Sequence, residues 1–265
     1  MTLRRRVNAA KNLRTTPAVL AALAEDEDDI VRRGVAQNLS TPTDVLVVLA
    51  DDEAARRVVA LNPNTPVDVL VVLATATSSS VRYGAAVNPS IPPDVLVVLS
   101  ADEGWSVRRA VVRNPNVTVD LLLRLSADES EDVRLEVAEH PNAPAEALAT
   151  LGADGDQRVR LRVASNPVTP AVALVTLAGD EKLSVREAVA RNQATPGETL
   201  VMLAADEQEA LRTGARETIT ARICGTLGVD ESNADAIDLL RDQAWWEMTS
   251  DDPGVVVTLA LAPNA

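Results

Sequence analysis

The sequence predicts an all-α protein, a solenoid of about eight two-helix repeats of 24–26 residues followed by an atypical C-terminal unit. Three observations predict it: an asparagine that recurs every 24 or 26 residues, a leucine pair at i and i+3 after each asparagine, and a near absence of aromatic residues. Self-similarity at such a period is typical of solenoids, whose repeats bury a core only by stacking. Aromatic side chains make up 2% of the 265 residues and hydrophobic ones 46%, so Ala, Val and Leu have to fill each layer.

Several residue columns stay in step along the chain and define the repeat. The asparagine column consists of Asn12, Asn38, Asn62, Asn88, Asn114, Asn166 and Asn192, with His140 in the remaining position. An arginine stands six residues before each of these anchors, and this column is Arg6, Arg32, Arg56, Arg82, Arg108, Arg134, Arg160 and Arg186, with Arg212 in a degenerate final copy. We expect each asparagine amide to satisfy backbone groups in the turn that ends its helix, and His140 to be a substitution in that turn.

Each repeat opens with helix-start residues, as in Thr41-Pro42-Thr43-Asp44. We expect the threonine to supply an N-cap oxygen and the proline to occupy the first helical position. The run that follows, Val45 to Ala50, is apolar on all sides, so we expect it to be buried between neighbouring repeats. Such a run is also prone to form a β-strand, but cap residues before it and apolar spacings of three and four favour a helix.

An acidic turn and a second helix complete each repeat. In the turn Asp51-Asp52-Glu53, the carboxylates are placed to face the N-terminus of the next helix, where negative charge is favourable. The second helix carries a stripe such as Val107, Ala110 and Val111, which forms one buried face. It ends at Asn-Pro, because the residue before a proline is displaced from helical geometry.

The recurring pattern Val-Arg-x-x-Val-Ala-x-Asn-Pro-x-Thr-Pro-x-x-x-Leu-x-x-Leu-Ala resembles that of the leucine-rich repeat variant family. Val185 to Asn192 is one good copy of its front half, and the resemblance covers roughly residues 5–215. It implies a right-handed superhelix of alternating α and 3₁₀ helices, with no activity general to the family. Some members carry a cysteine-rich iron–sulfur module before the repeats. Cys224 is the single cysteine here, so that function is not carried over.

The domain prediction is a repeat solenoid over residues 1–215 and an atypical capping repeat over residues 216–265. The second range loses the asparagine anchor, and its Trp245 and Trp246 are large enough to cover a last open face. Solenoids require atypical terminal units for that purpose. A separate binding module is the alternative for this range.

Composition excludes several classes of function. A net charge of −14 disfavours a dedicated binder of nucleic acid or of anionic membranes, which need a basic surface. The longest apolar stretches fall far short of the roughly 20 residues that span a bilayer, and we expect a cytoplasmic protein. One cysteine rules out a disulfide framework within the chain, and we interpret Cys224 as a small core residue. The acidic turns lack the spacing of a calcium loop, so we expect no metal and no cofactor.

The arginine column is the first candidate site. The planar fork of arginine suits fixed pairing with carboxylates, and every repeat supplies acids in the adjoining turn. We interpret the column as a ladder of salt bridges between repeats. The alternative is a stripe that binds a phosphate backbone or an acidic ligand, and its candidate residues are Arg32, Arg56, Arg82, Arg108, Arg134, Arg160 and Arg186.

The second candidate site lies at positions that vary between repeats, where a partner rather than the scaffold can dictate the residue. Basic and aromatic residues occupy them in consecutive repeats, and these types are enriched in interfaces. Ordinary surface variation is the alternative explanation. The candidate partner-binding residues are Arg33, Arg57, Tyr83, Trp105, Arg109 and Arg113, which we expect to form one patch.

The leading functional hypothesis is a non-enzymatic, monomeric scaffold that binds another protein or peptide through these variable positions. It depends on the repeat architecture, which provides extended surfaces, and on the lack of catalytic motifs. The alternative is binding of nucleic acid or an acidic ligand along the arginine column.

Overall fold

The structure is a computed structural model that describes residues 1–227, with side chains as far as Arg222. This part of the chain forms 17 α-helices and no strand. One helix, α1 (Leu3–Lys11), is followed by eight helix pairs, and the repeats group into two compact units, residues 1–136 and the residues from Val137 onward. The pairs are α2 (Pro17–Ala24) with α3 (Asp29–Gln37), α4 (Thr43–Leu49) with α5 (Arg56–Leu61), α6 (Val67–Leu73) with α7 (Ser79–Val87), α8 (Pro93–Leu99) with α9 (Trp105–Arg113), α10 (Val119–Leu125) with α11 (Glu131–Glu139), α12 (Ala145–Leu151) with α13 (Gln157–Ser165), α14 (Ala171–Leu177) with α15 (Leu183–Arg191), and α16 (Gly197–Ala204) with α17 (Glu209–Leu227).

The first helix of each pair is short and buries the predicted leucine pair. In α4, which has seven residues, Leu46 and Leu49 lie in the core. Both helices of each pair are α-helical, where the family resemblance implied alternation with 3₁₀ helices. The last turn nevertheless tightens: Ala50 N–H donates to Leu46 O at 3.0 Å and also to Val47 O at 3.3 Å. Such shared bonds are common where an α-helix ends.

The expectation that this run is buried on all sides is wrong. Val47 and Val48 of α4 lie between the two leucines and are exposed to solvent. The reason is the length of the helix. Two turns packed on a thin layer can place only one face against the core, so residues between i and i+3 point outward.

The expectation that threonine caps this helix is also wrong in the repeat where it was derived. The N-cap of α4 is Pro42, which makes no side-chain cap bond, and the helix begins at Thr43. The Thr41 hydroxyl instead donates to Val35 O at 2.6 Å, near the end of the preceding helix. The same bond is made by Thr15, Thr65, Thr169 and Thr195. The threonine thus ties the start of one helix to the end of the preceding one, because its hydroxyl is a second donor to a carbonyl that also accepts from Asn38 N–H at 3.0 Å.

The second helix of each pair supplies the other half of the core. In α9, Val107, Ala110 and Val111 are buried, as their spacing predicts. Most of these helices have nine residues, but α5 has six because the repeat between Asn38 and Asn62 is two residues shorter.

The last helix that the structure describes, α17, passes through the predicted domain boundary at residue 215. The capping role predicted for Trp245 and Trp246 falls on residues outside the described part of the chain. The core position predicted for the Cys224 side chain falls outside it as well.

Candidate functional site

The asparagine column forms a hydrogen-bond ladder between consecutive repeats. Asn88 Nδ2 donates to Ala60 O and to Asn62 O in the preceding repeat, both at 2.8 Å, and Asn88 Oδ1 accepts from Ser90 N–H at 2.9 Å. The side chain is buried, so these bonds satisfy backbone groups that water does not reach. The bond within the turn was predicted, but the bonds to the preceding repeat were not. The same arrangement recurs at Asn38, Asn62, Asn114, Asn166 and Asn192.

Thr218 continues this ladder without an asparagine. It lies 26 residues after Asn192, and its hydroxyl donates to Ala190 O at 2.7 Å. Arg222 follows one turn later and donates to the carbonyls of Gln193 and Thr195. Sequence reasoning ended the regular columns before this residue, because a lone threonine inside a helix carries no amide signal. The fixed 26-residue spacing was the signal that could have found it.

The arginine column forms a second ladder, in which a guanidinium binds the acidic turn of the following repeat. Arg108 Nε donates to Asp128 Oδ2 at 2.7 Å and Nη2 donates to Asp128 Oδ1 at 2.8 Å, a bidentate pair. Arg108 Nη1 donates to Asp102 O at 2.7 Å in its own turn. Bidentate pairs also join Arg32 to Asp52, Arg82 to Asp102 and Arg160 to Asp180, and an ion pair without a hydrogen bond from Nε joins Arg6 to Asp26.

Three acids of this ladder, Asp52, Asp102 and Asp180, have a lowered pKa, which favours their charged form. The hydrogen bond from Arg32 lowers the pKa of Asp52 below its usual range, although burial acts in the opposite direction. For Asp102, burial alone would raise the pKa, but the hydrogen bonds from Arg82 and from Gly104 N–H outweigh it and the pKa is lowered. Each pair therefore also orders the turn before the next helix.

Arg56 departs from this pattern. The position 20 residues later, where other repeats have an aspartate, is Ala76. Arg56 Nη2 donates to Asp51 O at 3.3 Å, while the buried Nε has no hydrogen-bond partner among the described residues. The missing acid and the shortened turn before α5 together leave Arg56 without the aspartate contact that other arginines of the column make.

The remaining arginines of the predicted phosphate-binding column also bind their own turns. Arg134 Nη1 donates to Asp128 O at 2.8 Å and to Glu129 O at 3.1 Å, and Arg186 Nη1 donates to Asp180 O at 2.7 Å. The column is thus built into the packing of the turns, which supports its interpretation as a structural ladder. A phosphate would have to displace these contacts.

The predicted partner-binding residues line two cavities rather than one patch. Arg33 on α3 and Arg57 on α5 line a groove of about 630 Å³, together with Lys11 at the end of α1. We call this cavity the basic groove. The apolar residues Ile30, Leu39, Val58 and Leu61 also line it, along with Gly34, Gln37, Asn62 and Pro63.

The shape of the basic groove follows from local sequence. Gly34 has no side chain, and a Cβ there would lie 3.0 Å from the Ala10 Cβ, so α1 and α3 approach closely at this point. The six-residue α5 lacks the first turn found in its neighbours, and Ile30 in the first turn of α3 stays exposed. Sequence analysis identified Arg33 and Arg57 but did not single out Lys11 or Gly34. Lys11 stands directly before Asn12, as Arg113 stands before Asn114, so the variable position before each anchor was the signal that could have found it.

The other four predicted residues meet in a smaller cleft of about 70 Å³, formed by Tyr83 of α7 with Trp105, Arg109 and Arg113 of α9. Glu136 neutralises both arginines: it accepts from Arg109 Nε at 2.8 Å and lies 2.6 Å from Arg113 Nε. Burial acts to raise the pKa of Glu136, but the two guanidinium groups lower it. In the basic groove, Arg33 Nη2 also lies 3.1 Å from an acid, Asp29 Oδ2, but both side chains of that pair are exposed. Exposed pairs are weak, so the positive charge of the basic groove is the more available of the two.

The single histidine and the acidic turns do not assemble a chemical centre in the described part of the chain. His140 Nδ1 accepts from Asn142 N–H at 3.1 Å, the acceptor contact that Asn Oδ1 makes elsewhere, which supports its interpretation as a turn substitution. Among the side chains that the structure describes, no group of three from His, Cys, Asp or Glu is placed to hold a metal ion. Helices within residues 1–227 are all too short or too polar to cross a bilayer.

Comparison with known proteins agrees with the repeat geometry. The family model of the leucine rich repeat variant matches residues 131–156 and 184–208. These two segments match the repeat unit of that family. The other copies share their columns and their two ladders, so the family resemblance stated from the sequence is confirmed.

A solved structure has a similar helical-repeat fold. A structure described as a leucine-rich repeat variant with a novel repetitive protein structural motif is 25% identical, with a TM-score of 0.63, over 79% of this chain and 84% of that chain. The crystal structure of an engineered protein is 19% identical with a TM-score of 0.44, over 97% of this chain and 92% of that one. No curated protein matches the chain. The protein is a helical repeat scaffold.

Proposed function

We propose that this repeat protein is a non-enzymatic scaffold that binds an acidic peptide segment of another protein in the basic groove. The observation that carries the proposal is the groove itself. Lys11, Arg33 and Arg57 come from three consecutive repeats and line the groove together with apolar side chains. The lining itself contains no acid, and the one acid paired with these cations, Asp29 beside Arg33, is exposed. Its volume lies within the range of about 300–1,000 Å³ that is common for binding pockets.

The partner chemistry follows from this lining. Carboxylates of the peptide pair with the three cations, and Leu or Ile side chains between them cover Val58 and Leu61. The net charge of the chain is −14, so an acidic partner is attracted to the groove and repelled by most of the remaining surface. The contrast between the basic groove and the acidic surface around it favours binding of the peptide at this one place.

The arginine column supports the nucleic-acid alternative less well. Its guanidinium groups are bound to aspartates and turn carbonyls, as at Arg108 and Arg160. Binding along it predicts an affinity that falls steeply with salt and that is lost in Arg82→Ala.

The test is selection of short peptides from a display library on the immobilised full chain, followed by fluorescence anisotropy of the enriched peptides. We expect acidic residues interleaved with Leu or Ile in these peptides. The variant Lys11→Ala/Arg33→Ala/Arg57→Ala should weaken binding by about tenfold or more, since each ion pair contributes up to about 1 kcal/mol.

A charge-matched variant provides the control. Arg4→Ala/Arg5→Ala/Arg124→Ala removes three exposed cations that do not line the groove, and it should leave the affinity unchanged. Equal loss in the two variants would mean that the peptides respond to net charge alone. Enriched peptides that bind the groove variant as tightly as the original protein would overturn the proposal.

A further inference from the structure

A second surface of the molecule, on the opposite helix of each pair, is apolar where solvent meets it. Six valines on α4, α6 and α8 are 41% to 68% exposed, although each stands beside a fully buried leucine. We call these residues the valine surface: Val47, Val48, Val71, Val72, Val97 and Val98.

The valine surface is confined to three consecutive repeats. The equivalent pair in the repeat before it is Ala21 and Ala22, and in the repeat after it is Leu123 and Arg124. The six side chains together expose the equivalent of about three whole valines, and apolar patches of a few hundred Å² on a soluble protein mark interaction sites. Stacking needs only the leucines, so the fold itself does not explain valine at all six positions.

A row of acids borders the valine surface. Asp44, Asp68 and Asp94 are exposed in the first turns of the same three helices, three and four residues before each valine pair, and so lie on the same helix faces. We call them the aspartate row. No lysine or arginine occurs in residues 43–54, 67–78 or 93–104, which contain these helices and the turns after them.

We propose that the valine surface binds a basic amphipathic α-helix of a partner protein. Packed helices lie about 8–10 Å apart, and a helix rises 1.5 Å per residue, so at that spacing a helix laid across α4, α6 and α8 would meet a new valine pair about every five to seven residues. The partner helix thus has apolar residues at heptad spacing over about 15–18 residues. Lysines or arginines beside that stripe pair with the aspartate row.

The negative charge of the aspartate row favours a basic helix over a second copy of the chain and over an anionic membrane. A second copy of the valine surface would bring a second aspartate row close to the first, and like charges at an interface disfavour association. An anionic membrane would be repelled by the same acids. This surface is separate from the basic groove and has the opposite charge, so the inference does not depend on the proposed function.

The test uses two synthetic 21-residue peptides with leucine at the a and d positions of each heptad, one with lysine and one with glutamate at the flanking positions. Fluorescence anisotropy with the full chain should detect the lysine peptide and not the glutamate peptide. Val48→Ser/Val72→Ser/Val98→Ser should weaken binding of the lysine peptide by about tenfold or more, because the apolar contacts of all three repeats are reduced. These side chains are exposed, and circular dichroism should show the helices retained.

Two control variants make the result specific. Val172 on α14 is 67% exposed and lies outside the valine surface, so Val172→Ser should leave binding unchanged. Lys11→Ala/Arg33→Ala/Arg57→Ala should also leave it unchanged, which separates failure here from failure of the basic groove. The proposal is overturned if the serine variant binds the lysine peptide as well as the original chain does, since attraction is then only to an acidic protein. It is also overturned if sedimentation velocity shows self-association that the serine variant abolishes, since the occupant is then a second copy.

Discussion

Asp128→Asn tests whether burial determines how much each arginine–aspartate pair of the arginine column contributes to the free energy of unfolding. The side chains of Arg108 and Asp128 are 7% and 6% exposed, and they share two hydrogen bonds of 2.7 and 2.8 Å. An asparagine keeps the size of the side chain but removes the charge, and its amide group turns a donor toward one guanidinium nitrogen. The Arg108 guanidinium then stays buried without its carboxylate.

The magnitude follows from the contacts that remain. Removing one partner of a buried ion pair costs about 3–5 kcal/mol. Glu129 still lies 3.1 Å from Arg108 Nη2, but it is 84% exposed and offsets only part of the loss. We expect Asp128→Asn to lower the free energy of unfolding by about 2–3 kcal/mol. At Asp52, where both side chains of the pair are 22% exposed, Asp52→Asn should cost about 1 kcal/mol, as surface pairs do.

The assay is urea unfolding of the full chain followed by far-ultraviolet circular dichroism, with the two variants and the original protein measured together. Equal costs for Asp128→Asn and Asp52→Asn would refute the role of burial, and a neutral Asp128→Asn would refute the ladder as a source of stability. Arg108→Met/Asp128→Leu supplies a further check. It removes both charges and should be less destabilising than Asp128→Asn alone.

Three more predictions follow from the same structure. The folded-state pKa values of Asp52, Asp102, Asp180 and Glu136 are lowered, so the stability that these acids contribute is complete above their unfolded pKa of about 4 and is lost as the pH falls through the folded values. Unfolding midpoints measured against pH should therefore drop in acid, and they should drop less steeply in Asp102→Asn/Asp180→Asn. Gly84→Ala should destabilise by about 1–2 kcal/mol in thermal unfolding, because its Cβ would lie 2.8 Å from the Ala60 Cβ, whereas Gly155→Ala, with no atom within 4 Å, should be neutral or slightly stabilising. Ala76→Asp should give Arg56 the ion pair that it lacks, raising the urea midpoint and adding about 1 kcal/mol to the free energy of unfolding, whereas Ala101→Asp should not. No gain at residue 76 would mean that the shortened turn, and not the missing acid, isolates Arg56.

The helix pairs and their columns were predictable because stacking forces the same residue into the same place in every copy. The leucine pair and the Val107 stripe fall where their spacing predicts them. A column shows that a position is fixed, but it does not show which way a polar side chain points. The Thr41 hydroxyl therefore bonds backward where forward capping was expected.

The candidate surfaces were less predictable for a related reason. Arg57 and Tyr83 are close in repeat order, yet they line different cavities, because the short α5 and the missing side chain at Gly34 shape the space around Arg57. The sequence did not predict that the Val48 side chain points outward either, since valine is compatible with either side of a two-turn helix.

Both ladders join each repeat to the next one along the chain, and this has a consequence for how the protein is made. Asn88 reaches back to carbonyls of the repeat synthesised before it, and Arg82 waits for Asp102 of the repeat synthesised after it. A repeat that has just left the ribosome therefore holds an unmatched guanidinium and free carbonyls until its successor arrives. Within each compact unit, the contacts of a repeat are therefore completed only when the next repeat has been synthesised and has stacked on it.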